Sequence, residues 1–172
     1  MTKRLFIIRH AQAEDFGFSV RLKDFDRNLT SKGIMQSARL GKFMSEEKTN
    51  VSYFISSPAN RALQTATVFA EQLGIREDSI SLEQSLYDGG GPKAYLGSLN
   101  SVSEDFGVVA IFGHNPDITF FAEYLTRGDV GGNLKKASLI ELSFSDIKWN
   151  EISGNSGEFV RRIDVSNLAL ES

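Results

Sequence analysis

Arg4-Leu5-Phe6-Ile7-Ile8-Arg9-His10-Ala11 is the stretch from which the fold can be read. Leu5 to Ile8 form an unbroken apolar run with β-branched content, the pattern of a strand buried on both faces of a sheet. The run ends abruptly at Arg9 and His10, which packing alone does not call for. In an open α/β sheet, ligands bind just beyond the carboxyl ends of the strands. A fixed cation and an imidazole therefore stand where a ligand would sit. Taken alone, the stretch also fits a strand that ends in polar surface residues.

The pattern recurs. Val108 to Phe112 is a second buried run, and it ends in Gly113-His114-Asn115-Pro116. Asn115 suits an N-cap and Pro116 a first helical residue. Ile118, Phe121, Ala122 and Leu125 then give the next helix a buried face. Between the two runs, residues 51–55 read as a strand followed by Ser56-Ser57-Pro58. Ser57 is expected to cap a helix begun by Pro58. Ala59, Ala62, Leu63, Ala66, Phe69, Ala70 and Leu73 form its apolar stripe, and Gly74 ends it. Arg61 lies in the first turn, off that stripe. Periodicity alone would leave it in solvent, but its place just after a strand end makes it a ligand candidate.

The remaining segments fill in an α/β order. The stretch from Ala11 to Arg27, with Phe16, Gly17, Phe18, Arg21 and Phe25, shows no period and reads as a loop over the mouth of the site. Thr30 or Ser31 is expected to cap a helix reaching about Glu47, with Ile34, Ala38, Gly41 and Phe43/Met44 on its inner side. Residues 80–82 form a short strand. Asp88-Gly89-Gly90-Gly91-Pro92 is a loop without the Gly-Lys-Ser/Thr of a P-loop. Residues 93–103 read as helix. Residues 137–144 and 147–152 read as a hairpin turning at Asp146. From Gly154 the tail is polar, with Phe159, Val160, Ile163 and Val165 as anchors. The expected architecture is one domain over residues 1–172, a three-layer α/β/α sandwich on a mostly parallel central sheet, with the last strands antiparallel.

Composition narrows the chemistry. The chain has 172 residues, 41% of them hydrophobic, a net charge of −3 and no cysteine. Thiolate catalysis, disulfides and cysteine metal sites are excluded. The charge shows no basic stripe for nucleic acid. With His10 and His114 the only histidines, a zinc site would have to lean on carboxylates. The apolar run after Met1-Thr2-Lys3-Arg4 is too short for a signal peptide or a membrane span, so a cytoplasmic protein with no membrane partner is expected.

Two strand-end histidines and two arginines on one rim make a cationic site rich in N–H donors. Guanidinium forks match phosphate oxygens, and helix starts at Ser57 and Asn115 aim backbone N–H groups the same way. Such a pocket suits phosphoryl transfer, which is mostly positioning and charge stabilisation. One neutral histidine can serve as nucleophile, and the other, kept protonated by the anion, can hold an oxygen.

Arg9-His10-Ala11, Ser57-Pro58 with Arg61, and Gly113-His114-Asn115 resemble the motifs of the histidine phosphatase superfamily, the phosphoglycerate-mutase-like fold. The resemblance implies that His10 is the nucleophile that becomes phosphorylated and that Arg9, Arg61 and His114 bind the phosphoryl group. Arg27-Asn28-Leu29-Thr30-Ser31-Lys32-Gly33 and Ser57-Pro58-x-x-Arg61-Ala62-x-Gln64-Thr65 are similar to the SixA branch, the phosphohistidine phosphatases, as is the absence of a cap insertion. Arg27, Ser57 and Asn115 are expected to bind substrate. Two positions depart from the pattern: Ala11 replaces a glycine and Asn28 a proline. The larger family members carry an acid for the leaving group, and the one stand-in by position is Asp88.

The implied activity is a hydrolase without metal or other cofactor, acting on phosphohistidine in proteins such as histidine-containing phosphotransfer domains. A small phosphorylated substrate, hydrolysed by a phosphomonoesterase of the same superfamily, is the alternative. A module that binds phosphate without turnover is a third reading.

Overall fold

The computed structural model describes residues 1–15, 23–126 and 128–168. In chain order the elements are β1 (Thr2–Arg9), α1 (Ser31–Glu46), β2 (Tyr53–Ser56), α2 (Asn60–Gln72), β3 (Ile80–Leu82), α3 (Pro92–Asn100), β4 (Val108–Gly113), α4 (Asp117–Leu125), β5 (Ser138–Ser145) and β6 (Glu158–Asp164). The six strands form one sheet in the order β3-β2-β4-β1-β5-β6. β3, β2, β4 and β1 run parallel, while β5 and β6 are antiparallel additions at one side.

Alternation along the buried strands sends side chains to two cores. Leu5 and Ile7 of β1, with Val109 and Ile111 of β4, pack against Tyr95 and Leu99 of α3 and Ile118 and Phe121 of α4. Phe6 and Ile8, with Ala110 and Phe112, pack against Leu40 and Met44 of α1 and Ala66 and Phe69 of α2. Two helices cover each face, the three-layer arrangement expected.

Several details differ from the sequence reading. The inner face of α1 is Gly33, Ser37, Leu40, Gly41 and Met44, and Ile34 is exposed. Gly33 fixes this rotation, because a Cβ there would stand 2.0 Å from the Gln12 carbonyl oxygen. Residues 147–152 are not a strand. Trp149–Glu151 form a 3-10 turn, in which the Trp149 indole donates to the Phe106 carbonyl and Lys3 lies over the ring. Burying one large indole under α3 thus overrides local strand propensity. The partner of β5 is instead β6, drawn from the stretch read as a polar tail; its Phe159 and Val160 stay exposed and Ile163 is buried. Residues 16–22 of the expected loop, with Phe16, Gly17, Phe18 and Arg21, lie outside the described residues. No helix among the described residues is long and apolar enough to cross a membrane.

Candidate active site

The parallel register sets three strand ends level. Arg9 pairs with Gly113 across β1 and β4, and Ser56 pairs with Phe112 across β2 and β4. The backbone continues the alignment past the strands: His10 N–H donates to the Gly113 carbonyl (3.1 Å) and Ser57 N–H to the Phe112 carbonyl (3.1 Å). His10, Ser57 and His114 therefore emerge side by side at the carboxyl edge of three adjacent strands.

His10 is buried, at 6% exposure. Its Nδ1 lies 2.8 Å from the Ala11 carbonyl oxygen. A carbonyl only accepts, so Nδ1 carries the proton and the lone pair is on Nε2. Burial pushes the imidazole down to about 3; the Ala11 bond works the other way, and His114, Arg61 and Arg9 add to the lowering. The ring is neutral near pH 7. The His114 ring centroid is 5.4 Å away. Its Nε2 lies 2.8 Å from Ser57 Oγ. That oxygen also accepts from Ala59 N–H (3.3 Å); with its hydrogen given to Nε2, the His114 proton stands on Nδ1. Burial first, then the charge of Arg61, pushes His114 down to about 4. The chain's own groups thus favour a neutral His114 near pH 7.

Arg9 comes from the end of β1 and Arg61 from the first turn of α2. Arg9 Nη1 donates to the Leu134 carbonyl (2.9 Å). Burial and the Arg61 charge lower its pKa. Arg61 is buried at 7% exposure, against its periodicity, because Asp24 draws it inward. Its Nη1 donates to the Asp24 carbonyl (2.7 Å) and its Nη2 to Asp24 Oδ2 (2.9 Å). Among the described residues, the buried side-chain nitrogens and oxygens without a hydrogen-bond partner are Arg9 Nε and His114 Nδ1. Orphaned buried donors are costly and rare, and here both belong to the residues expected to hold an anion.

The remaining candidates fall differently. Ser57 does not cap α2, which begins at Asn60 with Ala59 in the cap position; its hydroxyl serves His114 instead. Asn115 does not cap α4, whose cap position is Pro116. The Asn115 amide donates to the Leu134 carbonyl (2.8 Å) and accepts from the Thr119 hydroxyl (2.5 Å). It shares with Arg9 the same carbonyl anchor. Arg27 donates to the Glu14 carbonyl and to Asp24 Oδ1. Asp88 is exposed and accepts from the Gln84 amide (3.0 Å). It is the preceding residue, Tyr87, that turns toward the site, its ring 5.9 Å from His114.

Both departures from the family pattern have local reasons. Ala11 N–H donates to Thr65 Oγ1 (3.0 Å), and Thr65 donates on to the Arg61 carbonyl (2.7 Å). Ala11 is absent from the positive-φ residues, so no glycine is needed, and its methyl is buried with Leu29 and Val165. Asn28 N–H donates to Glu14 Oε1 (2.8 Å), a bond proline lacks. Its amide oxygen accepts from Asn60 and Gln64. Sequence reasoning missed Asp24, Thr65, Tyr87 and Leu134. The first three act through side chains brought from distant elements, and Leu134 acts through its backbone. A cavity of about 500 Å³ between α1, α2 and the turn after β6, lined by Arg39, Lys42, Phe43 and Leu168, shares no residue with this cluster.

Comparisons with known proteins bear on this geometry. Residues 5–87 match the family model described as histidine phosphatase superfamily, branch 1. An uncharacterised protein of Picosynechococcus is 28% identical over 145 residues, covering 80% of this chain and 83% of its own length. The protein histidine phosphatase SixA in complex with tungstate superposes with a TM-score of 0.80 at 20% identity, over 96% of this chain and 99% of that one. A mycobacterial glucosyl-3-phosphoglycerate phosphatase superposes with a TM-score of 0.65 at 17% identity, over 92% and 97%. At these identities the two structures establish the shared fold.

Proposed function

We propose that this chain, whose residues 5–87 match the model of the histidine phosphatase superfamily, is a phosphatase of that kind that works through phosphorylated His10 and takes phosphohistidine in proteins as its substrate. One observation carries the reading: His10 is neutral with Nδ1 bonded to the Ala11 carbonyl and its lone pair on Nε2, in a strand-end cluster to which Arg9 Nε and His114 Nδ1, the buried side-chain nitrogens without a partner among the described residues, also belong. This is a nucleophile facing preorganised donors for the charge of a transferring phosphoryl group.

In the proposed reaction His10 Nε2 attacks phosphorus. The bond from phosphorus to the substrate nitrogen breaks, its electron pair leaves with the imidazole, and that imidazole takes a proton from water. Arg9, Arg61 and His114 hold the phosphoryl oxygens. A water oxygen then attacks phosphorus, the bond to Nε2 breaks, and inorganic phosphate leaves. The proton released by that water balances the one taken by the leaving imidazole, and His10 returns to its neutral form.

The substrate class follows from the leaving group. An alkoxide needs a positioned general acid, whereas an imidazole leaves readily without one. The carboxyl closest to the machinery, Asp24, is held ionised by Tyr87, Arg27 and Arg61 against the effect of burial, and so has no proton to give. The positive charge comes from arginine, and the described residues hold no group of three or more His, Asp or Glu able to bind a metal. We therefore propose metal-independent turnover, unchanged by a chelator.

The test is kcat/KM for a phosphorylated histidine-containing phosphotransfer domain and for an alkyl phosphomonoester, each with and without EDTA. The reading expects the protein substrate to be favoured by at least about a hundredfold, the low end of what a general acid contributes to an ester. Equal or better use of the ester gives the small-molecule phosphomonoesterase. Turnover of neither gives a phosphate-binding module.

A further inference from the structure

Donors from three separate parts of the chain converge on Asp24, in the 3-10 turn ahead of α1. Arg61 gives Nη1 to its carbonyl and Nη2 to Oδ2. The Tyr87 hydroxyl donates to the same Oδ2 (2.9 Å) and Arg27 Nη1 to Oδ1 (3.0 Å). Tyr87 is itself wedged edge-on between Phe25 at 5.1 Å and His114 at 5.9 Å. Nothing in the reaction described above uses this carboxylate directly, yet it faces the site and is bonded from all these sides.

Its geometry with Arg61 explains the cost. A guanidinium offers two forked edges: the end, made of both terminal nitrogens, and the side, made of Nε and one terminal nitrogen. Two acceptors of one residue on Nη1 and Nη2 take the end. No other described residue engages the fork, so the side edge is left for an acceptor from outside the chain. At 9% side-chain exposure, Arg61 has no room to swing. Asp24 also places a negative charge on Arg61, whose own positive charge adds to burial in lowering the pKa of Arg9.

We propose that Asp24 is a positioning residue, which clamps the end of the Arg61 fork so that its Nε edge meets the phosphoryl oxygens, with Tyr87 and Arg27 holding the clamp. The assignment rests on the phosphatase reading for the identity of the anion.

Tungstate binding, by titration calorimetry, and turnover of a phosphorylated histidine-containing phosphotransfer domain are compared for the wild type, Asp24→Ala, Asp24→Asn, Arg61→Ala and Asp24→Ala/Arg61→Ala. With Arg61 present, Asp24→Ala is expected to lower kcat at least about tenfold, with KM moving less, and to weaken tungstate at least about fivefold. Asp24→Asn keeps one acceptor and falls between. Without Arg61, Asp24→Ala should change kcat by less than about twofold, since nothing is left to position. Additive losses in the double variant would overturn the clamp. So would tighter tungstate binding with kcat kept or raised, which would make Asp24 a competitor of the anion. A wild type that binds tungstate without turnover defeats the phosphatase reading but leaves the clamp to be judged on binding. A wild type that does neither overturns both.

Discussion

His10 and His114 hold their rings 5.4 Å apart, centroid to centroid, tilted by 52°. Burial is the leading cause of a lowered proton affinity in both; His114, Arg61 and Arg9 add to it at His10, and Arg61, Arg9 and Arg27 at His114. The free protein thus keeps two neutral imidazoles where free histidine would be half protonated. The profile of kcat/KM against pH should stay flat through the ordinary histidine range and fall only near the pKa of about 4 assigned to His114. An acid limb centred near the ordinary imidazole value of about 6.5 would show that the site does not suppress protonation as described.

The same depression has a stability consequence of defined sign. The unfolded chain binds protons at these histidines below its own imidazole pKa, while the folded chain resists until about 4 and about 3. Stability is therefore fully present above the unfolded value and is lost as pH falls through that window, by up to about 1.4 kcal/mol per pH unit for each histidine. Asp24 adds a loss in the same direction at lower pH, since its carboxyl is lowered in the fold. Urea midpoints measured between about pH 7 and pH 4 should fall less steeply for His10→Gln than for wild type. Equal slopes would mean that His10 does not contribute.

Arg61 tests how far local periodicity can mislead. It sits off the apolar stripe of α2, yet it is buried on Asp24. Arg61→Ala should lower kcat by at least about two orders of magnitude, the scale of removing one preorganised donor to transition-state charge. Loss of less than about threefold, with circular dichroism unchanged, would return the side chain to a purely structural ion pair.

The motifs were legible because each is local: a buried strand, its polar end, and the turn that follows. Arg9, His10 and His114 needed only that adjacency, and Arg61 needed its nearness to a strand end. Asp24 was not legible, because the 37 residues separating it from Arg61 and 63 from Tyr87 leave no periodic signal. β6 was missed for a related reason: as an edge strand with Phe159 and Val160 exposed, it lacks the alternation that marks a half-buried strand. Trp149 misled in the opposite sense, as a strand-forming residue used to fill a hole under α3.

Ser57 was read as a helix cap and found bonded to His114, which changes what its removal should do. Ser57→Ala takes away the hydroxyl that bonds His114 Nε2 and holds the ring in place. We expect kcat to fall by about one order of magnitude, below the effect of losing a whole acid–base group, with the melting temperature changed little. Ser57→Thr, which keeps the hydroxyl, should recover part of the rate. No recovery by threonine would argue that the serine matters for packing alone.

Gly113 shows how the fold supports the second histidine from below. A Cβ at this position would stand 2.1 Å from the Tyr95 hydroxyl oxygen, which accepts from His114 N–H at 3.0 Å. Tyr95 is fully buried, so its ring cannot move aside without displacing α3. Gly113→Ala should cost about 1–3 kcal/mol, the usual range for overpacking, and should slow turnover by shifting His114. Tyr95→Phe in the same background should restore part of the stability by removing the clashing oxygen. No restoration would mean that the strain lies in the strand itself.

Asp88 provides the last test, because it is the one residue expected from sequence to supply a proton. It follows Tyr87 in the chain, yet the two diverge: Tyr87 faces Asp24 and His114, while Asp88 is exposed and accepts from Gln84. A general acid must come within hydrogen-bond reach of the leaving atom. Asp88 makes no hydrogen bond to any of His10, Arg9, Arg61 or His114, and the glycines after it offer nothing to draw it in. Turnover of protein phosphohistidine by Asp88→Asn should therefore stay within about threefold of wild type, well short of the about 100-fold or more that loss of a working general acid produces. A loss on that larger scale for an alkyl phosphoester, with phosphohistidine turnover retained, would show that Asp88 moves in for substrates that need a proton. The same loss for both substrates would place it in the machinery and remove the leaving-group argument for phosphohistidine.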